Sequence, residues 1–238
     1  MQGLCEYLAV VAPQFVVLGP QGAPRNAPSV KWKLPEDEEP GRWMRRPGAL
    51  RRWWKFQPAA DGYHLVEADR LAHHISDNRT LWLAEGRGPA QSIFNGVQTF
   101  GEARLLREVK LSEKVLRLWA ADCAEHVLPA YEEKRPGDER PRRAIEAARE
   151  LALERIAYPE ARVIGLESSR ASLEDWDHNH TDPEMVASRV AEAAAGAVLF
   201  NPAGAAAQVA WREAQAAAPG TAEETWQSRR LLDYVLGG

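Results

Sequence analysis

Six cations and four aromatic rings fall within 15 residues, in Arg42-Trp43-Met44-Arg45-Arg46 and Arg51-Arg52-Trp53-Trp54-Lys55-Phe56. Guanidinium groups pair with phosphates, and Trp and Phe offer faces on which bases stack, so this stretch has the chemistry of a groove for single-stranded nucleic acid. Arg laid on Trp is equally the chemistry of protein interfaces, where these residue types carry most of the binding energy. A third reading places Trp53 and Phe56 in a small N-terminal core with the Arg groups solvated. All three stay open on residue types alone. Arg42, Trp43, Arg45, Arg46, Arg51, Arg52, Trp53 and Trp54 are accordingly candidate partner contacts.

A second constellation is Asp122, Cys123 and His126, spaced to lie on one side of a helix. A thiol, an imidazole and a carboxylate form a nucleophile only in an exposed, electropositive cleft. Cys123 instead shares an apolar stripe with Trp119 and Val127, which predicts a buried, inert thiol. A third stretch, Asp175-Trp176-Asp177-His178-Asn179-His180-Thr181, has the oxygen spacing that opens a calcium loop. His180 stands where the loop needs Gly, however, and Val186 where it needs a bidentate Glu. His178 and His180 with a neighbouring carboxylate could hold a transition metal, but two His at i and i+2 are too few certain ligands. The expectation is an exposed, metal-free acidic connection from Glu174 to Asp182, with Glu174, Asp175 and Asp177 as further candidate partner contacts. Gly86-Arg87-Gly88 has Gln91 where a dinucleotide fingerprint needs a third Gly, and reads as a tight turn after a strand. No His-Glu-x-x-His, Gly-x-Ser-x-Gly, P-loop or Cys-x-x-Cys occurs. The chain thus reads as a binding protein rather than an enzyme, with no cofactor, metal or catalytic residue expected.

The elements that must position these groups fall into two textures. Residues 1–107 carry 14 basic and 11 acidic groups, a net of +3, and residues 108–238 carry 16 and 23, a net of −7. The expected division is an α+β domain over 1–107 holding the Arg/Trp segment, and a helical domain over 108–238. The chain as a whole is mainly α. In the first part, Gln14 to Leu18, Ser29 to Leu34 and Thr80 to Ala84 lean towards strand, whereas Leu65 to Ile75 and Thr99 to Val109 show a period of 3.6. Residues 20–40, rich in Gly and Pro and then Glu36-Asp37-Glu38-Glu39, read as a long solvated loop that buries too little apolar area to offset its ordering. No uncharged run suits a membrane span, and Glu6 stands where a secretory signal would be basic. Cys5 and Cys123 supply no disulfide framework. The expected location is the cytoplasm, and the excess of 24 Arg over 6 Lys suggests a GC-rich bacterium or its phage.

Punctuation makes the second part more legible. Glu113 to Lys134 puts Leu116, Trp119, Cys123, Val127 and Ala130 on one stripe, with Pro129 expected to kink its last turns. Asp138 is the expected N-cap of a second helix with Pro141 in its first turn, a stripe of Ile145, Ala148, Leu151 and Ile156, and a stop at Pro159. The two should form an antiparallel hairpin. Thr181-Asp182-Pro183-Glu184 and Thr221-Ala222-Glu223-Glu224 read as capping boxes for two more helices, the second leading into Trp226 to Leu236. Between them 15 of the 32 residues from Ala187 to Ala218 are Ala, which predicts closely approached helices rather than disorder.

The Cys123-Ala-x-x-Val127-Leu128 helix, the Asp138-x-Arg140-Pro-Arg142 turn and the Ala144-Ile-Glu-Ala-Ala-Arg149 helix together resemble a bacterial family of immunity proteins of polymorphic toxin systems. The likeness continues more loosely through Trp211 and Glu224-Thr-Trp226-Gln227-Ser-x-Arg230, covering residues 113–238. It departs at residues 157–182, an acidic, His-containing insertion, and its repeats are poor in Trp. The resemblance implies an all-helical module that neutralises a toxin or effector by occluding it, with no catalytic residues to carry over. The −7 balance would suit a basic nuclease-like partner. The alternative is a phage or mobile-element protein that binds nucleic acid, or a complex that processes it, through the Arg/Trp half.

Overall fold

Phe15, Val16, Val17 and Leu18 are all buried, which marks a strand covered on both faces and so a place in the middle of a sheet. The computed structural model describes residues 13–24, 30–35, 40–45, 62–75, 80–93, 96–174, 182–200 and 202–237. It divides into two compact units, Met1–Lys110 and Leu111–Gly238. The chain is mainly α, with a small α+β unit followed by a helical one.

Among the described residues of the first unit seven strands run in chain order: β1 (Gln14–Leu18), β2 (Met44–Arg45), β3 (Tyr63–Glu67), β4 (Thr80–Arg87), β5 (Gln91–Ser92), β6 (Val97–Phe100) and β7 (Glu102–Val109). They form one sheet in the order β2-β7-β4-β1-β3-β6-β5, with every pairing between neighbours antiparallel. Among the described residues both edge strands are two residues long. Alternate residues Val16, Leu18, Tyr63, Leu65, Trp82, Ala84, Ala103 and Leu105 supply one buried face, completed by Val30, Trp32, Met44 and Phe100. A 3-10 helix over Ala68–His74 follows β3 and buries Leu71, Ala72 and His74.

Three sequence expectations change here. Residues 97–109 are strands, and the helical periodicity seen there comes from a bulge. Leu83 faces Arg107 while Ala84 faces Leu105, so Leu106 is an extra residue in β7. The buried positions Ala103, Leu106 and Val109 then recur every third residue, as they would on a helix. The period over Leu65 to Ile75 likewise joins the end of β3 to a 3-10 helix. Nor are residues 30–34 a strand or a solvated loop: Val30 and Trp32 are buried, and Trp32 donates its N–H to Gly22 O at 3.1 Å and meets Tyr63 edge-on at 5.0 Å. Gly22 has φ +75°, and a Cβ there would sit 2.3 Å from Trp32 O, so only Gly allows this approach. The stretch 36–39 lies outside the described residues. Gly86-Arg87-Gly88 ends β4 in a turn, with Gly88 at φ +89°.

The second unit holds α1 (Glu113–Lys134), α2 (Arg140–Ala152), α3 (Tyr158–Glu174), α4 (Asp182–Leu199), α5 (Ala203–Ala217) and α6 (Thr221–Leu236). Ser112 caps α1, its Oγ accepting Val115 N–H at 3.2 Å, and the helix runs on through Pro129. Buried residues occur on more than the expected stripe of α1: Ala120, Ala121, Asp122 and Ala124 join Trp119, Cys123 and Val127, because the helix has neighbours on several sides. Arg149 reaches Glu125 at 2.6 Å and Arg142 reaches Glu132 at 2.9 Å, so α1 and α2 pair antiparallel, as the turn between them requires.

Pro159 does not stop α2, which ends at Ala152; it lies in the first turn of α3, where a missing N–H costs nothing. The segment expected as an insertion is thus largely a helix. It lies antiparallel to α4, with Tyr158 Oη donating to Leu199 O at 2.6 Å and Ser168 Oγ to Ala191 O at 2.8 Å. Two cap expectations also shift. Asp138 lies one residue before the N-cap Glu139, yet its Oδ1 still accepts Arg140 N–H at 3.1 Å, and α6 starts from Gly220 with no side-chain cap. The Ala tracts do what small residues allow: a Cβ on Gly196 would meet Val209 Cγ1 at 2.6 Å, so α4 and α5 approach almost backbone to backbone. Among the described residues, no helix is long and apolar enough to cross a membrane.

Candidate functional site

Asp122 and His126 of α1 face α2 and α6. Asp122 is buried and is the acceptor at the centre. Its Oδ1 takes Arg149 Nη2 at 2.8 Å, and its Oδ2 takes Arg230 Nε at 2.7 Å and Tyr234 Oη at 2.6 Å. One carboxylate therefore ties three helices, and both its oxygens are engaged by charged or hydroxyl donors. Burial and the bond to Asp122 push the Tyr234 phenol up to about 12, so it stays protonated and donating. One turn along α1, His126 Nδ1 donates to Glu223 Oε2 at 2.7 Å, and its ring stacks on Trp226 with centroids 3.7 Å apart and planes within 5°. Gln227 Nε2 reaches the other Glu223 oxygen at 2.9 Å, while Trp119 Nε1 donates to Gln227 O at 2.9 Å.

Cys123 lies between these two sets with no exposed surface. Burial pushes its thiol well above the ordinary range, and the carboxylates of Glu223 and Asp122 push it further. A thiolate nucleophile needs the opposite, so Asp122, Cys123 and His126 are brought together as a packed joint. Only Cys123 of this joint was expected to be structural. Asp122 was visible as a charge beside a buried stripe, whereas its partners Arg230 and Tyr234 lie 108 and 112 residues away.

A second cluster closes the α1–α2 turn. Asp138 accepts Tyr131 Oη at 2.6 Å and Arg140 Nε at 2.9 Å, and Arg140 then grips Glu174 with both terminal nitrogens, at 2.7 and 2.6 Å. Arg135 approaches the same carboxylate at 3.6 Å. Glu174 thus spends much of its charge fastening the end of α3 to the hairpin turn. The hydrogen bonds from Arg140 hold Asp138 well below the usual carboxylate range, and burial with the bond to Asp138 pushes Tyr131 up to about 12.

The sign of the resulting pH dependence follows. A depressed carboxylate contributes stability that is complete above its unfolded pKa and declines as pH falls below about 4; the raised phenol of Tyr131 contributes below about 10 and loses it on further rise. Asp138→Asn is expected to lower urea stability by on the order of 2 kcal/mol at pH 7, with the gap to wild type narrowing at pH 3. A gap that is the same at both pH values would remove the charge from this account.

In the sheet unit Met44 belongs to the core, and its neighbours Trp43 and Arg45 lie at the alternate positions. Arg45 faces Glu102 and Glu102 faces Arg87, while Glu85 faces Arg104 in the next rung. Arg45 Nε meets Glu102 Oε1 at 2.8 Å, and Arg104 Nη2 meets Glu85 Oε2 at 2.7 Å. Trp43 carries the Arg104 guanidinium 4.7 Å and that of Arg87 5.6 Å from its ring centre. Its π-face is engaged within the sheet by cations the sequence does not place near it. Arg42 is exposed. Arg46, Arg51, Arg52, Trp53, Trp54, Asp175, Asp177, His178 and His180 lie outside the described residues. Among the described residues, no group of three or more His, Cys, Asp or Glu is placed to hold a metal ion.

With this geometry in place, the comparisons identify the helical unit. The family described as Imm-5 like putative immunity protein matches residues 109–233, from the end of β7 through most of α6. No curated protein and no solved structure matches the chain.

Proposed function

The chain belongs to the family of Imm-5 like putative immunity proteins, and from that premise we propose that it is a non-catalytic binding protein that neutralises a protein partner, a toxin or effector, by occluding it. The observation that carries this reading is the family match across the helical unit. The fate of the reactive side chains in that unit supports it, since Asp122, Cys123 and His126 are all committed to holding helices together. A rigid, pre-organised body of this kind loses little conformational entropy when it covers another protein. We assign the helical domain, 108–238, as the binding module, acting in the cytoplasm, and the domain 1–107 as an accessory whose exposed Arg groups can be varied without loss of the main interface.

The test is co-expression of the chain with candidate toxic proteins of its host, followed by purification of the pair. Rescue of growth together with a stable complex that survives gel filtration is the expected result, and growth arrest despite soluble immunity protein would end the reading. A nucleic-acid role predicts instead micromolar or tighter binding of single-stranded DNA or RNA at physiological salt, with a log–log salt slope that falls by roughly 0.7 for each phosphate-contacting Arg removed among Arg42, Arg45, Arg46, Arg51 and Arg52. Little binding is expected, because Arg45 is already paired and Trp43 already stacked.

A further inference from the structure

Helix α3 turns one side to the bundle and leaves the other uncovered. Ala161, Gly165, Ser168, Ala171 and Ser172 are buried, and a Cβ on Gly165 would lie 3.0 Å from Leu199 Cδ2, so α4 seals that side. On the opposite side Val163 is 59% exposed, Leu166 38% and Leu173 64%, a concentration of aliphatic surface that a solvent-facing helix does not need. Arg162 and Arg170 are exposed too. At about 100° of turn per residue, Arg162, Leu173, Leu166, Arg170 and Val163 fall within about 100° of one another, forming one stripe about 16 Å long.

Arg162 and Arg170 add two cations to this stripe, and like exposed Arg212 and Arg229 they have no carboxylate partner among the described residues. Elsewhere in the unit Arg135, Arg140, Arg142, Arg143, Arg149, Arg155, Arg189 and Arg230 each have a carboxylate partner.

Resting on the binding reading above, we propose that this stripe of α3 is the docking surface for the protein partner, and that the partner presents an apolar patch bordered by Asp or Glu. Three aliphatic side chains supply the area that excludes water, and two free guanidinium groups supply the register and the sign. The local sign is opposite to that of the net charge of −7 over residues 108–238, because Arg162 and Arg170 stand together on this stripe. Contact charge, not total charge, decides complementarity at short range. A second copy of the chain is the poorer occupant, since a two-fold interface centred on Leu166 would set Arg162 of one copy against Arg170 of the other.

The experiment uses the full-length chain and the protein it retains from the native host lysate, purified, with affinity measured at low and physiological salt. Arg162→Glu combined with Arg170→Glu is expected to weaken binding at least 100-fold, and Val163→Ser with Leu173→Ser at least tenfold. The control Glu139→Lys with Glu146→Lys, at the exposed N-cap and an exposed position of α2, should change it less than threefold. Matching urea midpoints show that all variants fold, as surface changes should. Restoration of binding to the Arg-to-Glu variant by Asp or Glu to Arg changes on the partner would secure the assignment. A partner that binds wild type and both α3 variants equally overturns the docking surface and leaves the binding reading intact. Retention of no protein that binds the purified chain overturns both, and a homodimer abolished by the α3 changes would give the stripe to a second copy instead.

Discussion

Asp122→Ala is expected to destabilise the helical unit by about 2–3 kcal/mol, a large share of a marginal domain's stability, because Arg230 and Tyr234 lose their shared acceptor while Arg149 keeps only Glu125. The carboxylate is buried, while Arg149 and Arg230 bring their charges from α2 and α6 to 2.8 and 2.7 Å. Removing the acceptor leaves both cations partly desolvated beside the C-terminal helix. Asp122→Asn keeps the shape but turns an NH2 towards one of the donors, and should recover only a small part of the loss. Urea unfolding followed by far-UV circular dichroism measures both, and a double-mutant cycle with Arg230→Met should give a coupling above about 1 kcal/mol. A loss of less than 1 kcal/mol for the Ala variant would mean that the network is not closed in solution. The prediction also bears on function, since α6 meets the rest of the bundle largely through polar groups: its buried residues are Glu223, Glu224, Gln227, Ser228 and Leu231. Losing the joint should free α6 before the other helices.

Cys123→Asp is expected to cost several kcal/mol, against about 1 kcal/mol for Cys123→Ala. The Ala change only opens a small cavity, whereas Asp brings a carboxylate into a fully buried site. The neighbouring Glu223 and Asp122 carboxylates already raise the thiol at this position, so they would oppose a new negative charge as well. The Asp variant must either take up a proton or open the joint, and its deficit should shrink as pH falls towards the carboxylate range. Thiol labelling gives the companion measurement in a Cys5→Ser background: Cys123 should react with a disulfide reagent only at the rate of unfolding. Rapid labelling of native protein would contradict the burial on which both expectations rest.

What could be read from the sequence alone is local in origin. The bounds of α1, Glu113 to Lys134, follow from the apolar stripe that begins at Leu116 and from the Pro136-Gly137-Asp138 turn that ends it, and both signals are contiguous with the helix. The burial of Cys123 follows from its place between Trp119 and Val127 on one stripe, and the close approach of α4 and α5 from the run of Ala. The hairpin residues from Val115 to Arg149 also carried the family resemblance, because a turn and its two flanking helices are written contiguously. Signals that mean different things in different contexts were misread. Pro159 reads as a stop and serves as a start, and the bulge at Leu106 gives a strand the spacing of a helix. Only the tertiary structure decided what the polar groups do. Asp122 meets Arg230 across 108 residues, His126 meets Glu223 across 97, and Arg104 reaches Trp43 from another strand. No periodicity encodes which distant donor fills a given acceptor. That choice is made when helices and strands pack, because a buried charge must find a partner among whatever the packing brings within 3 Å.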